Sequence, residues 1–190
     1  MGVVVVPPVL VGIALSKPVI ENGSLPGILM DACGWLLFML YVSFRIWSTL
    51  YVGGRKDSEL QTEGPYSITR NPLYFGSFCL ALAAVCFFKS VSLLILVFVG
   101  FIIYLRFVIR AEEKFLSGKF GEKFSEYCMQ TPRFFPAPSS YNSPETVVVK
   151  IHGMATEAYR LWLSVLVPIT AQVITHFRSS GAWPHLFRLP

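Results

Sequence analysis

Three groups of polar residues stand at the borders of apolar stretches, and they are the part of this sequence that could carry out chemistry. The first group runs from Gly64 to Tyr74. Asn71 and Pro72 are typical of a helix start and Arg70 of an interfacial anchor, so an ordinary helix N-terminus explains them. A helix start also presents unpaired N–H groups and a positive dipole end. Together with Arg70, it would suit a carboxylate or phosphate.

The second group comprises Arg106, Arg110, Glu112 and Glu113, at the end of another apolar stretch. Helical spacings of four and three predict that Arg106, Arg110 and Glu113 share one face, with Glu112 about a quarter turn away. An Arg–Glu pair and a solvated glutamate would account for this. However, a charge at the position of Arg106 costs about 2.5 to 3.5 kcal/mol inside a membrane, so Arg106 should face a partner or a polar cavity.

The third group is Tyr127 with the run Thr131–Pro136. Phe134 and Phe135 are most simply aromatic anchors at the membrane surface. Arg133 could either close a binding site or extend its head group to water.

Other catalytic signatures are missing. The sequence has no phosphate-binding glycine loop, no GxSxG elbow and no HExxH pattern. The histidines are scattered (His152, His176 and His185), and the four cysteines have neither metal-ligand nor disulfide-scaffold spacing (Cys33, Cys79, Cys86 and Cys128). We therefore expect no metal site.

The composition predicts that these groups are positioned by membrane helices. Of the 190 residues, 54% are hydrophobic and only 14% are charged, and the mean hydropathy is +0.57, which is outside the usual range of soluble domains. A spanning helix needs roughly 20 apolar residues, so the length allows four or five helices in a single domain, 1–190. The net charge of +5 is interpreted as topology information rather than nucleic-acid binding.

The apolar runs predict an all-α, multi-pass transmembrane bundle of about five helices. The five runs are Met1–Ser16, Leu25–Val52, Leu73–Phe88, Val91–Ile109 and Ala155–Phe177. The first run is interrupted by two prolines, and we interpret it as a helix rather than a removed signal peptide. Because only Lys89 and Ser90 separate the third and fourth runs, these should form an antiparallel hairpin whose outer ends meet at one membrane face.

The Lys and Arg distribution predicts which face that is. Most of these residues lie in Gly53–Asn71 and Arg110–Lys150, which the positive-inside rule assigns to the cytoplasm. Arg178 and Arg188 conflict with this rule, so the last helix could be re-entrant or interfacial. The segment Ala111–Gln130 has helical apolar spacing and predicts an amphipathic interfacial helix, and a Pro-rich connector follows at 132–144.

The segments LQTEGPYSITRNPLYFG (60–76) and RAEEKFLSGKFGEKFSEYCMQTPRFFP (110–136), joined by a hydrophobic hairpin, resemble the isoprenylcysteine carboxyl methyltransferase and phospholipid N-methyltransferase superfamily. The resemblance covers a core of about 60–136. It implies a membrane enzyme of the cytoplasmic face, in a bacterial inner membrane or the endoplasmic reticulum, that uses S-adenosylmethionine to methylate a lipidic or prenylated acceptor from the bilayer, without nucleic acid or metal.

Family roles then transfer to matching positions. The resemblance implies cofactor binding by Gly64, Pro65, Tyr66, Arg70, Asn71, Pro72, Tyr74, Glu112 and Glu113, catalytic roles for Arg70, Asn71 and Arg110, and substrate contacts for Arg106, Tyr127 and Arg133.

The sequence departs from isoprenylcysteine methyltransferases at Asn71, where those enzymes commonly have histidine. Asparagine cannot act as a general base. A carboxylate acceptor needs no base, whereas an ammonium must first lose a proton. This favours a carboxyl O-methyltransferase, and a phospholipid N-methyltransferase is the first alternative. Two further alternatives are a sterol-reductase-related enzyme that uses a nicotinamide cofactor and a membrane scaffold without catalytic activity.

Overall fold

The computed structural model describes residues 20–52, 59–149 and 151–179, and these ranges contain helices and no strands. Three helical stretches are long and apolar enough to cross a membrane: Leu25–Val52, Val91–Phe120 and Ile151–Arg178. The helix Pro72–Phe88 is apolar but shorter, at 17 residues. These features confirm the helical membrane bundle. The predicted helix Met1–Ser16 lies outside the described residues, as do Lys17, residues 53–58, Lys150, His185 and Arg188.

The helices are, in chain order, α1 (Leu25–Val52), α2 (Pro65–Ile68), α3 (Pro72–Phe88), α4 (Val91–Tyr104), a π-helical segment (Leu105–Ile109), α5 (Arg110–Phe120), α6 (Glu122–Gln130), a 3-10 turn (Pro138–Ser140), α7 (Ile151–Ser164) and α8 (Leu166–Ser179).

The centre of the bundle is the contact between α1 and α3. Glycines allow the two helices to approach closely: a Cβ atom on Gly34 would lie 2.8 Å from the Phe87 ring, and one on Gly76 would lie 3.3 Å from Cβ of Phe44. Buried aromatic residues of both helices, including Phe38, form the core, which α8 completes from the other side with Ala171. In membranes, close packing of two helices depends on small residues at the contact.

The antiparallel hairpin of α3 and α4 is confirmed. Lys89 ends α3 in a left-handed conformation, and the Ser90 hydroxyl caps α4 by accepting a hydrogen bond from Leu93 N. Along the hairpin, Phe78 stacks on Phe101 with ring centroids 4.1 Å apart. Farther from the turn, the Tyr74 and Tyr104 rings meet edge to face. The C-terminal end of this second arm therefore returns to the start of α3.

Two cations at the turn end of the bundle are buried within it. Lys89 is 4% exposed and its Nζ lies 2.9 Å from Asp31 Oδ1. Arg178 of α8 donates to the carbonyl of Phe88 at 3.2 Å. Because Arg178 is packed into the protein, it is not the solvated loop charge to which the positive-inside rule applies. This removes Arg178 from the conflict with the rule, whereas Arg188 lies outside the described residues.

Three predicted helices are interrupted. The run Val91–Ile109 becomes π-helical at Leu105, so the α-helical spacing used to place Arg106, Arg110 and Glu113 on one face does not hold there. The predicted helix Ala111–Gln130 breaks at Gly121, whose φ is 54°.

The last helix breaks at Val165, three residues before the buried Pro168. Proline has no N–H for the helical bond to the fourth residue before it, and its ring clashes with that carbonyl. Despite this break, α7 packs against α1 and α8 against α3. The last helix thus extends from one end of the bundle to the other.

Candidate functional site

A cavity of about 600 Å³ lies at the end of the bundle where α1 ends and α3, α5 and α7 have their polar residues. This volume is within the range of roughly 300 to 1,000 Å³ that is usual for small-molecule and cofactor sites. Most of its charged lining comes from Arg45, Arg70, Glu112, Glu113 and Glu157. In a membrane protein such a concentration of charge is costly, so it marks the cavity as a candidate functional site.

Glu113 joins two arginines at one wall of the cavity. Its Oε1 lies 3.1 Å from Arg70 Nη1, and its Oε2 lies 2.7 Å from Arg133 Nη2. The partners of Glu113 among the described residues are therefore Arg70 and Arg133, and not Arg110 as the α-helical spacing suggested. This network fixes the guanidinium of Arg70 at the cavity wall.

One nitrogen of Arg70 lacks an acceptor among the described residues. Its Nη1 also contacts Cys128 Sγ at 2.7 Å. Its Nε is buried and has no hydrogen-bond partner in the ranges that the structure describes. A buried donor without an acceptor is costly and uncommon in proteins. A ligand oxygen would satisfy it after a small shift of the side chain that opens this nitrogen to the cavity.

Glu112 points to a different partner than its neighbour. The hydroxyl of Tyr74, on the first turn of α3, donates to Glu112 Oε2. Both Glu112 and Glu113 line the cavity, together with Tyr74. Two consecutive carboxylates are thus held at one site by different groups, one by a phenol and one by two guanidiniums.

The Pro-rich connector holds the start of α3 in place. Asn71 Nδ2 donates to the carbonyl of Arg133 at 2.7 Å, and Arg70 N donates to the carbonyl of Pro132 at 2.9 Å. Pro72 occupies the first turn of α3, as predicted. The Asn71 side chain, however, makes no capping bond, because the connector offers it a carbonyl instead. The side chain of Asn71 is a positioning group here.

Gly64 supports the cavity from behind. Its φ of 60° and ψ of −125° are accessible to glycine and strained for other residues. A Cβ atom at this position would lie 2.3 Å from Cζ of Tyr51. Gly64 N also donates to the carbonyl of Asn142 at 2.7 Å. The glycine is therefore needed for a close approach of the loop to α1 and to the connector.

Two buried tyrosines connect this loop to α6. The Tyr127 hydroxyl donates to the carbonyl of Tyr66 at 2.7 Å. Burial raises the pKa of Tyr66 well above its ordinary value, and the neighbouring Tyr127 and Glu112 add to this increase. Burial likewise raises the pKa of Tyr127, although Arg70 opposes the shift. Both phenols therefore stay protonated to a higher pH than an exposed tyrosine does.

The predicted site residues fall into two sets. Those that line the cavity are Tyr66, Arg70, Asn71, Pro72, Tyr74, Glu112, Glu113 and Tyr127. Those that do not line it are Gly64 and Pro65, which lie in the supporting loop, Arg133, which is paired with Glu113, and the exposed Arg106 and Arg110. The catalytic, cofactor and substrate roles given to all of these residues remain predictions.

Sequence reasoning did not identify a second charged group in the cavity. Arg45 of α1 and Glu157 of α7 form a two-point ion pair, with Nε–Oε1 and Nη2–Oε2 distances of 2.5 and 2.6 Å. Arg160 Nη1 lies 3.5 Å from the same carboxylate. The available signal was a lone charge inside an apolar run, which is costly unless a second helix supplies its partner.

Comparison with known proteins agrees with this architecture. The sequence model of the phospholipid methyltransferase family matches residues 24–123, from α1 into α6. The chain belongs to this family. The match contains the start of α3 and both glutamates, and it confirms the resemblance to the superfamily of membrane methyltransferases. No solved structure matches the chain.

Two curated relatives carry names that refer to metal resistance. The cobalt-zinc-cadmium resistance protein CzcN of Cupriavidus metallidurans is 34% identical over 150 residues, which cover 77% of this chain and 69% of the relative. The nickel-cobalt-cadmium resistance protein NccN of Alcaligenes xylosoxydans xylosoxydans is 35% identical over 127 residues, covering 65% of this chain and 59% of the relative. Within the described ranges, no cluster of three or more His, Cys, Asp or Glu residues could hold a metal ion.

Proposed function

We propose that this protein is an S-adenosylmethionine-dependent methyltransferase that acts on a lipidic acceptor, with its cavity at the cytoplasmic membrane surface. The observation that carries the proposal is the combination, in one cavity, of the carboxylates of Glu112 and Glu113 with Arg70, whose buried Nε has no partner among the described residues. All three residues lie within the segment that matches the family.

The residues of the cavity fit S-adenosylmethionine, the methyl donor. Its methionine end carries a carboxylate, an ammonium and a sulfonium, and the sulfonium supplies an electrophilic methyl group when the donor is bound. Arg70 and the first turn of α3 suit the carboxylate, because guanidinium and helix N-termini both bind anions. Glu112 and Glu113 suit the positive groups. The volume of about 600 Å³ leaves room beside the donor for part of an acceptor.

The protein's own groups favour an acceptor that is already nucleophilic. Asn71 is not a base, and its amide is committed to the carbonyl of Arg133. A carboxylate, as in isoprenylcysteine O-methylation, requires no proton removal. Its neutralisation on methyl transfer is favoured when the bound reactants exclude water and the side chains align them.

Phospholipid N-methylation is the second candidate, supported by the description of the matching family. An ammonium acceptor would need a base, and His152 lines the same cavity. Histidine is the side chain that enzymes use most often as a general base. The two candidates therefore differ in whether the reaction needs His152.

Titration with S-adenosylmethionine tests the proposal. The protein in nanodiscs is examined by calorimetry and thermal unfolding, then incubated with labelled donor and candidate acceptors. Because two relatives are named for metal resistance, the acceptor screen is run with and without Zn²⁺ and Cd²⁺. We expect saturable binding, a raised melting temperature and label transfer to a lipidic acceptor. Absence of binding would favour the non-catalytic scaffold, and binding of a nicotinamide cofactor instead would favour the reductase.

A further inference from the structure

The charged group on α7 lies beyond residue 123, where the match to the family ends. Nevertheless, five residues of α7 line the cavity: His152, Gly153, Thr156, Glu157 and Arg160. Their spacing of three and four places them on one helical face. The site is thus extended by an element outside the family match.

The opposite side of α7 is apolar and exposed. Ile151 is 83% exposed, and Tyr159 and Trp162 are 64% and 73% exposed. These side chains suit contact with lipid, within a stretch long enough to cross the membrane. The polar residues of α7 are therefore directed to the cavity rather than distributed around the helix. A membrane helix keeps such a polar face when the face has a function.

Two arginines approach one glutamate at this wall of the cavity. Glu157 is 3% exposed and binds Arg45 through both carboxylate oxygens. Arg160, whose side chain is 61% exposed, makes only a long contact with Glu157, at 3.5 Å. Arg45 alone would neutralise Glu157. These three side chains therefore sum to one positive charge, while Glu59, Glu112 and Glu113 line other parts of the cavity.

The arginines have donors left for a ligand. The pair with Glu157 uses Nε and Nη2 of Arg45, and no contact of its Nη1 is found in the part of the chain that the structure describes. The long contact leaves most of the Arg160 donors available. Guanidinium groups prefer carboxylate and phosphate oxygens, to which they can donate two bonds at once.

We propose that Arg45 and Arg160 form a binding site for an anionic group of the acceptor, a carboxylate or a phosphate, with Glu157 as the fixed counter-ion that orients Arg45. This inference rests on the proposed function, since it assigns the second half of the same cavity. Apolar residues of the lining, among them Val52, Leu73 and Leu116, suit the adjoining part of a lipid chain.

The test measures acceptor binding without the donor, so that it does not depend on methyl transfer. The carboxylate probe is a farnesylated cysteine, with its neutral methyl ester as the matched ligand. The phosphate probe is phosphatidic acid in phosphatidylcholine nanodiscs. Intrinsic tryptophan fluorescence or thermophoresis reports the affinity. The variant is Arg160→Gln, which is at an exposed position and should fold. The control is Lys123→Gln, which removes a positive charge from an exposed position outside the cavity lining.

We expect Arg160→Gln to weaken binding of at least one anionic probe by roughly tenfold or more, the usual effect of a lost charged hydrogen bond. Binding of the methyl ester should not change, and Lys123→Gln should behave like the original protein. The probe that responds identifies the anion as a carboxylate or a phosphate. Equal binding of the acid and the ester, or unchanged affinity for both probes in Arg160→Gln, would overturn the proposal.

A second variant gives an effect of opposite sign. Glu157→Gln removes the counter-ion, so the affinity for the anionic probe should increase severalfold, whereas a purely structural role predicts no increase. If this variant does not fold, the Arg160→Gln result decides. Loss of donor binding with intact anion binding would reject the proposed methyltransferase function and leave this site standing.

Discussion

Arg70 Nη1 and Glu113 Oε1 lie 3.1 Å apart, although Arg70 precedes the first helix of the hairpin and Glu113 follows the second. The hairpin brings them together because its two arms run antiparallel and their outer ends meet. Arg133 joins from the connector and contacts the same carboxylate. Three parts of the chain that are distant in sequence thus meet at one glutamate.

The two glutamates should respond differently to neutralisation. Glu113→Gln removes two ion pairs that are only partly buried, so we expect a loss of about 1 kcal/mol in unfolding free energy. Glu112→Gln keeps an acceptor for the Tyr74 hydroxyl and should affect stability less. If the carboxylates bind the positive end of S-adenosylmethionine, the affinity for S-adenosylmethionine falls roughly tenfold or more in at least one variant. Thermal unfolding and calorimetry measure the two effects, and unchanged donor affinity in both variants contradicts this assignment.

Replacing Arg70 with lysine tests the unsatisfied nitrogen. Lysine keeps the positive charge near Glu113 but has no Nε donor in the planar guanidinium geometry. We expect the affinity for S-adenosylmethionine to fall roughly tenfold. Arg133→Lys is the control, because Arg133 contacts the same carboxylate without lining the cavity. Equal donor affinities in the two variants would show that charge alone matters at Arg70.

Apolar length predicted the main helices of the described ranges, because each needs a long hydrophobic stretch to cross a bilayer. The bounds of Leu25–Val52 agree, and α3 begins one residue before its predicted start. The breaks were missed for local reasons. Gly121 changes the helix direction through its positive φ, and the π-helical turn at Leu105–Ile109 has no distinctive composition.

The site was predicted only as far as its residues form a motif. Arg70 and Glu112 stand in recognisable segments, and both line the cavity. Arg45 and Glu157 are single charges in different apolar runs, and their pairing depends on how α1 and α7 pack. Sequence spacing contains no information about contacts between distant helices. The Arg45–Glu157 side of the cavity was therefore visible only in the folded protein.

The bond from the Tyr127 hydroxyl to the Tyr66 carbonyl should stabilise the loop before α3. Tyr127→Phe removes the donor and leaves a carbonyl unsatisfied, with an expected cost of about 1 to 3 kcal/mol in unfolding free energy. Tyr159→Phe is the matched control, since Tyr159 is 64% exposed. Thermal unfolding in detergent compares the two. A smaller loss for Tyr127→Phe than for the control would contradict the role of this bond.

Cysteine labelling tests the orientation of the bundle. Ser139, in the connector, and Glu21, before α1, are both exposed and lie at opposite ends of the bundle. In a background without the four native cysteines, Ser139→Cys should be labelled by an impermeant reagent only after the cytoplasmic side is opened. Glu21→Cys should react in intact cells. The reverse pattern would place the cavity on the other face of the membrane.

Gly64→Ala should be among the most damaging small substitutions near the cavity. Its φ of 60° and ψ of −125° would strain alanine by about 1 to 3 kcal/mol. The new Cβ atom would also lie 2.3 Å from the Tyr51 ring, so the loop must move, which costs a further 1 to 3 kcal/mol, roughly. Gly118→Ala is the control: no atom lies within 4 Å of its added Cβ, and alanine favours the helix by about 0.5 to 1 kcal/mol. Melting temperatures should therefore shift in opposite directions. Equal shifts would mean that the loop does not approach Tyr51 closely.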